Sequence, residues 1–319
     1  MAIVKNAMRS EQILVINTAS VPAPDLMRRA REVAKALGHD LSVWCLLDDT
    51  GLPPALPADR DRVGRVRRKL LWRCRNALEK VLEETEASGV TAHGDVKTTE
   101  SVADAVLELV ERQAPAFVMI SRRPHTRFQE ATLAGDDFAI IRSCPVPVWV
   151  VNPAHAAGDK IVGAVDGFGD TNGSAELDEK ILDHAARLAR KLGKENHALH
   201  TFGQAGLSRP LPPAAANPAD DMGTSSYDRR MHRAFDFGKA HGVPRERVHI
   251  HEGKLVNALE EMSEPMNADL IVLGARSRGR LRRVLSRSAA ERVVQRVNAD
   301  VLILKGTEQP RSAEVASVN

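Results

Sequence analysis

Aromatic side chains are scarce in this chain, at 3% of 319 residues with a single tyrosine. Any core must therefore be filled with Ala, Val, Leu and Ile, and the stacking platforms that a single-strand nucleic-acid binder depends on are missing. Cysteine is almost as rare. Cys45, Cys74 and Cys144 are too few and too scattered for a disulfide framework or a zinc knuckle, and read as small buried hydrophobes in a reducing compartment. No apolar run approaches the roughly 18 residues of a membrane span. The opening MAIVKNAMRSEQ also lacks the apolar core and cleavage site of a signal peptide. A soluble, cytoplasmic protein without a transmembrane segment is expected. Charge is nearly balanced, with 45 basic residues against 42 acidic ones and a net +3. That balance argues against an obligate nucleic-acid or membrane-surface partner while leaving room for local basic patches. No serine sits in a nucleophile elbow, and no triad or paired-carboxylate spacing stands out.

What the chain does have is alternation. Strand-length apolar runs (Gln12–Asn17, Asp40–Leu47, Val90–Val96, Ala116–Ser121, Val146–Val151) alternate with helical patterns over Pro24–Leu37, Asp61–Ser88 and Glu100–Gln113, and a short helix before the last strand. Such alternation predicts an α/β fold with parallel strands joined by crossover helices. The strands are nearly continuous in apolar residues, as expected where helices cover both faces of a sheet. After Asn152 the order repeats. KIVGAVD answers QILVIN, Ala175–Leu192 answers the first helix, and HALHTFG answers the second strand. A proline-rich loop follows in each half, GLPPALPAD and then RPLPPAAANPAD. From Glu100 onward the halves align without a gap, AFVMISRR on DLIVLGAR and VPVWVV on ADVLIL. The chain reads as a duplicated domain, residues 11–152 and 160–305, joined by NPAHAAGDK and followed by a polar tail, 306–319, expected to be disordered.

In an open parallel sheet, ligands bind beyond the carboxyl ends of the strands. Asp166 ends the first strand of the second half, where a carboxylate can meet a ribose or an adenine amino group, or equally serve as a turn or N-cap residue. Its counterpart in the first half is read as Asn17. The second place is GARSRGRLRRVLSRSAAERVV, Gly274 to Val294, between an apolar run and a helix. A helix N-terminus offers unpaired amides to an anion, but close backbone approach requires glycines. Seven arginines (276, 278, 280, 282, 283, 287 and 292) stand here against one acid, Glu291.

ADLIVLGARSRGRLRRVLSRSAAERVVQRVNADVLILK resembles the universal stress protein family, in its tandem form. The resemblance implies two Rossmann-like, adenine nucleotide alpha hydrolase-like domains, each a five-stranded parallel sheet with helices on both faces. It also implies pairing through the last strands, Val146–Val151 and Val301–Leu304, into an intramolecular pseudo-dimer, with a homodimer of chains left open. The family's nucleotide motif runs Gly, two residues, Gly, nine residues, then Gly and Ser or Thr. Carried over residue by residue, it falls on Gly274, Ser277, Arg287 and Ser288, so two of three glycines are missing. In the first half the positions are Ser121, Pro124, Ala134 and Gly135, and a proline there has no N–H to offer. The resemblance implies an ATP or small-anion site, altered in the second half and lost in the first. It further implies a role in stress survival by binding and regulation, with weak ATP hydrolysis left open.

The arginines leave three readings standing: forks that replace a phosphate cradle, a solvated basic loop, or contact with nucleic acid or anionic lipid. A second basic cluster, Arg62–Arg75, lies on the first half's long helix and reads as a solvated or docking face. His249 and His251 alternate on a strand, a weak metal signal; facing a helix or a polar cavity is the reading preferred, and no metal site is expected. Two further functions remain: a protein–protein adaptor using Pro212 and Pro213, and a carrier of an apolar or lipidic ligand.

Overall fold

A computed structural model describes residues 11–18, 21–48, 60–122, 136–155, 157–165, 172–202, 226–275 and 289–306. The first half contains β1 (Gln12–Asn17), α1 (Pro24–Leu37), β2 (Asp40–Asp48), α2 (Arg60–Ala87), β3 (Ala92–Thr99), α3 (Val102–Gln113), β4 (Phe117–Ser121), α4 (Asp136–Ser143) and β5 (Val148–Val151). The second contains β6 (Lys160–Val165), α5 (Asn172–Leu192), β7 (Glu195–Phe202), α6 (Ser226–Ala240), β8 (Val248–Glu252), α7 (Leu255–Met262), β9 (Ala268–Ala275), α8 (Ala289–Arg296) and β10 (Asp300–Lys305).

Local chemistry sets the boundaries. Pro24 opens α1 with Asp25 in its first turn, and Gly38, at φ 73°, closes it by donating its N–H to Ala34 O. The expected start of α3 moves from Glu100 to Val102 because Ser101 is the N-cap, its hydroxyl accepting the Asp104 N–H at 3.2 Å. The third strand moves from 90–96 to Ala92–Thr99. Val90 is still held in the turn that closes α2, its N–H on Thr85 O, and β3 then follows β2 in register from Leu41–Ala92 to Asp48–Thr99.

The ten strands among the described residues form one sheet in the order β3-β2-β1-β4-β5-β10-β9-β6-β7-β8. Each half is parallel within itself, and the halves meet antiparallel at β5 and β10, with Val150 opposite Val301, Trp149 opposite Leu302 and Val148 opposite Ile303. Trp149 and Leu302 occupy matching positions in the two repeats, so the seam is self-complementary, as in a two-fold dimer interface. It also covers two edges that would otherwise be open. One face of the sheet is packed by α1, α2, α5 and α6 and the other by α3, α4, α7 and α8, each face forming one apolar layer that runs through both halves. Trp149 is fully buried at the centre of the first layer, its ring centroid 5.8 Å from that of Phe117.

Candidate functional site

β6 and β9 are neighbours, with Ala164 beside Leu273, so Val165 and Ala275 leave adjacent strands at the same carboxyl edge. Asp166, Ser277, Arg287 and Ser288 lie outside the described residues. Gly274 is inside them, in extended backbone near the end of β9, paired with Leu304. Its need for glycine is spatial. A Cβ there would sit 2.6 Å from Leu177 Cδ2 and 2.8 Å from Leu177 Cγ, both on buried α5. Gly163 on β6 is crowded likewise, with Leu182 Cδ2 at 2.7 Å. Two glycines therefore let α5 approach the sheet closely beside the carboxyl edge.

The first half differs at these places. Ladder register aligns Ile13–Phe117 with Ile161–Leu270, which matches Asn17 to Val165 and not to Asp166. The expected equivalence is off by one residue, and the counterpart of Asp166 is Thr18. Asn17 is itself buried and committed: its Oδ1 accepts the Ala23 N–H at 3.2 Å, ahead of α1, and its Nδ2 faces Cys45 Sγ at 3.7 Å. The counterpart of Gly274 is Ser121, the last residue of β4, and Pro124, Ala134 and Gly135 lie outside the described residues.

The seam carries chemistry that the sequence reading missed. Arg29 of α1 donates through Nε to Asp300 Oδ2 at 2.9 Å and through Nη2 to Asp269 Oδ2, and it stands over the Trp149 ring at 5.4 Å. Asp300 also accepts from Trp149 Nε1 at 3.1 Å and from the Asn152 N–H at 2.8 Å. Asp269 accepts from the Gly158 N–H at 3.2 Å and pairs with Lys194 at 3.1 Å. One buried guanidinium thus ties α1 of the first half to two strands of the second. Burial opposes the Arg29 charge, but Asp300 and then Asp269 outweigh it and raise its pKa. Burial pushes the Asp300 carboxyl up, with Arg29 the main opposing influence. Such a cluster is strongly destabilising to break, by about 3–5 kcal/mol, because the remaining charges stay buried.

Two cations cross the seam toward helix C-termini. Arg122, after β4, donates to Val294 O at 3.0 Å and Val297 O at 3.1 Å at the end of α8. Lys305, at the end of β10, donates to Ile141 O near the end of α4. Both complement the negative end of a helix dipole. Burial lowers the pKa of each. Glu291, the one acid of the arginine stretch, is buried and faces Arg142 Nε of the first half at 3.6 Å.

On the β7–β8 edge, His249 Nε2 lies 3.0 Å from His197 Nδ1 with the rings stacked, and His197 Nε2 lies 3.1 Å from Glu195 Oε2. His251 turns instead to Glu261 of α7 at 3.3 Å. Among the described residues no group of three ligands could hold a metal ion. Cys45, Cys74 and Cys144 are free and buried, as expected, and burial pushes the Cys45 thiol up to about 11. No helix among the described residues is long and apolar enough to cross a membrane.

Residues 159–305 match the model of the universal stress protein family. The second half is therefore similar to the universal stress protein family. The chain as a whole resembles universal stress protein E. It is 22% identical over 264 residues to the Haemophilus influenzae universal stress protein E homolog, covering 80% of this chain and 82% of that one. It is 28% identical over 188 residues to universal stress protein E of Photorhabdus laumondii, covering 56% and 58%. Among solved structures, a Pseudomonas aeruginosa protein of unknown function shares the fold, with a TM-score of 0.69, 20% identity and coverage of 94% and 95%. An alignment of 264 residues is longer than the second half, so the likeness to universal stress protein E extends into the first, whose last strand, Val148–Val151, forms the seam with the second half.

Proposed function

We propose that this chain is a ligand-binding regulatory protein of the stress response, acting in the cytoplasm by binding rather than turnover. Its two universal stress protein domains would span residues 11–152 and 160–305, with 306–319 as a tail, and only the second would carry a ligand site. That site comprises Gly274, Ser277, Arg287 and Ser288 with Asp166, and takes a phosphate-bearing ligand, ATP or a smaller anion, through arginine forks in place of two lost glycines. The observation that supports this most is the asymmetry at the carboxyl edge. In the first half Ser121 stands in the place of Gly274, whereas in the second Val165 and Ala275 end adjacent strands and so bring Asp166 and the arginine stretch to one edge. Native mass spectrometry of freshly purified protein tests it. A nucleotide or phosphate adduct, lost in a variant carrying Arg287→Ala and Ser288→Ala, is the expected result. A protein that carries no such adduct when incubated with millimolar ATP or pyrophosphate overturns it.

A second reading, a carrier of an apolar ligand, is supported by one feature. A cavity of about 310 Å³ at the seam is lined by Phe117, Trp149, Leu188 and Leu302 together with the polar Glu11, His39, His184 and Arg187. A bound lipid in the same spectrum favours that reading.

A further inference from the structure

The seam is two-fold in its register but not in its contents. Register makes Phe117 the counterpart of Leu270 and Val148 that of Val301, so Trp149 answers Leu302. One residue earlier on each strand, Ala116 answers Asp269 and Pro147 answers Asp300. Gly38 (φ 73°) and Gly193 (φ 66°) follow the ends of α1 and α5, so His184 answers Arg29 and Arg187 answers Glu32. At one end of the seam the Arg29 guanidinium, its two carboxylates and the Trp149 ring occupy the space against α1. At the other end a histidine, an alanine, a proline and a leucine take those places against α5. His184 also turns away, its Nδ1 lying 2.8 Å from Lys180 O of its own helix. The cavity of about 310 Å³ lies at this end, lined by all four of these residues. It is the place where the second copy of the buried charge cluster is missing.

What lines the cavity selects a ligand class. Phe117, Trp149, Leu188 and Leu302 are buried and apolar. Arg187 lines it from α5, is exposed, and has no ion pair among the described residues. Glu11, the acid in the lining, already pairs with His39 at 3.3 Å. We infer that the cavity takes a small monocarboxylate, its apolar body against Trp149 and Leu302 and its carboxylate on the Arg187 guanidinium. Volume sets the body: an apolar cavity of about 150 Å³ holds one benzene, so twice that holds about two rings or ten carbons. Charge sets the head, since one guanidinium matches one negative charge and Glu11 repels the second charge of a phosphate monoester. The inference rests on the apolar-ligand reading given above, sharpens it to an acid, and shares no residue with the phosphate site.

Equilibrium dialysis of the full chain against 2-naphthoate, with the neutral 2-naphthamide as control, tests this. One equivalent of naphthoate binds per chain, and the amide binds at least about tenfold more weakly. Arg187→Gln weakens naphthoate about tenfold and leaves the amide where it was, because only the head group loses a partner. Ala116→Leu, which fills the cavity, weakens both compounds at least about tenfold. Arg187 is exposed and Ala116 half-buried, so both variants fold, which far-UV circular dichroism checks. Saturating pyrophosphate leaves naphthoate binding unchanged. No saturable naphthoate binding at millimolar concentration, binding that survives either substitution, or displacement by pyrophosphate would overturn the inference. Equal binding of acid and amide, lost in Ala116→Leu, would overturn the assignment of a carboxylate while leaving an apolar-ligand carrier standing.

Discussion

The two halves build the same strand order but spend matching positions differently. At the carboxyl edge the first half closes on itself through Asn17, while the second keeps glycine at 163 and 274 and lets α5 press against the sheet. At the seam the first half supplies Arg29 and Arg122 to carboxylates and carbonyls of the second, and the second supplies Lys305 to a carbonyl of the first. Matching positions thus serve local closure and seam contacts in the first half and close helix packing in the second. Within the sheet, the position after four residues of strand shows the same divergence. Register matches Cys45 of β2 to His200 of β7, one group that stays neutral and one that can take a proton.

The largest effect is expected from breaking the union. Arg29→Met leaves Asp300 and Asp269 buried without their guanidinium, at a cost of about 3–5 kcal/mol, read as a lowered urea midpoint. Hydrogen exchange should then show strands β5 and β10 opening before either half unfolds.

Next comes acid. Burial holds His200 down to about 4, against an ordinary value of 6.5. Between those two values the unfolded chain takes a proton that the folded chain refuses, so stability is full above pH 6.5 and falls as pH drops toward 4. The full loss is about 3 kcal/mol from this group. Burial also lowers the pKa of His155, His197 and His249, which adds in the same direction. Urea unfolding at pH 7 and pH 5 with hydrogen exchange should show the second half loosening first, and His200→Leu should remove part of the pH dependence.

Fold and site were not equally legible. The bounds of the first helix are legible to the residue because Pro24 and Gly38 punctuate it. β5 and β10 were paired correctly through the family resemblance, and their antiparallel register follows from the repeat. The Asn17 equivalence slipped by one because strands buried on both faces lack the alternation that fixes register. Arg29 was invisible because its carboxylates lie 240 and 271 residues away, and nothing local distinguishes it from Arg28 or Arg31. One signal was available: Asp269 and Asp300 each stand at the start of an apolar strand, where a carboxylate needs a partner.

Smaller effects sharpen the comparison at single positions. Gly274→Ala should cost about 1–3 kcal/mol by forcing its Cβ onto Leu177, whereas Ser121→Ala, its counterpart, should stay within about 0.5 kcal/mol. Thermal melts of the two variants decide between a packing requirement and a purely ligand-related one. Arg122→Ala removes the cation from the end of α8 and should cost about 1–2 kcal/mol, with faster amide exchange confined to α8 and β10.

A phosphate-bearing ligand has one expected binding place, the carboxyl edge of the second half. Equilibrium dialysis of the full chain against labelled ATP, and separately against pyrophosphate, measures the stoichiometry directly. One equivalent per chain is predicted for at least one of the two, abolished by Asp166→Ala together with Ser288→Ala and unaffected by Ser121→Ala. Two equivalents per chain, none for either ligand, or a site that survives the second-half substitutions would contradict it.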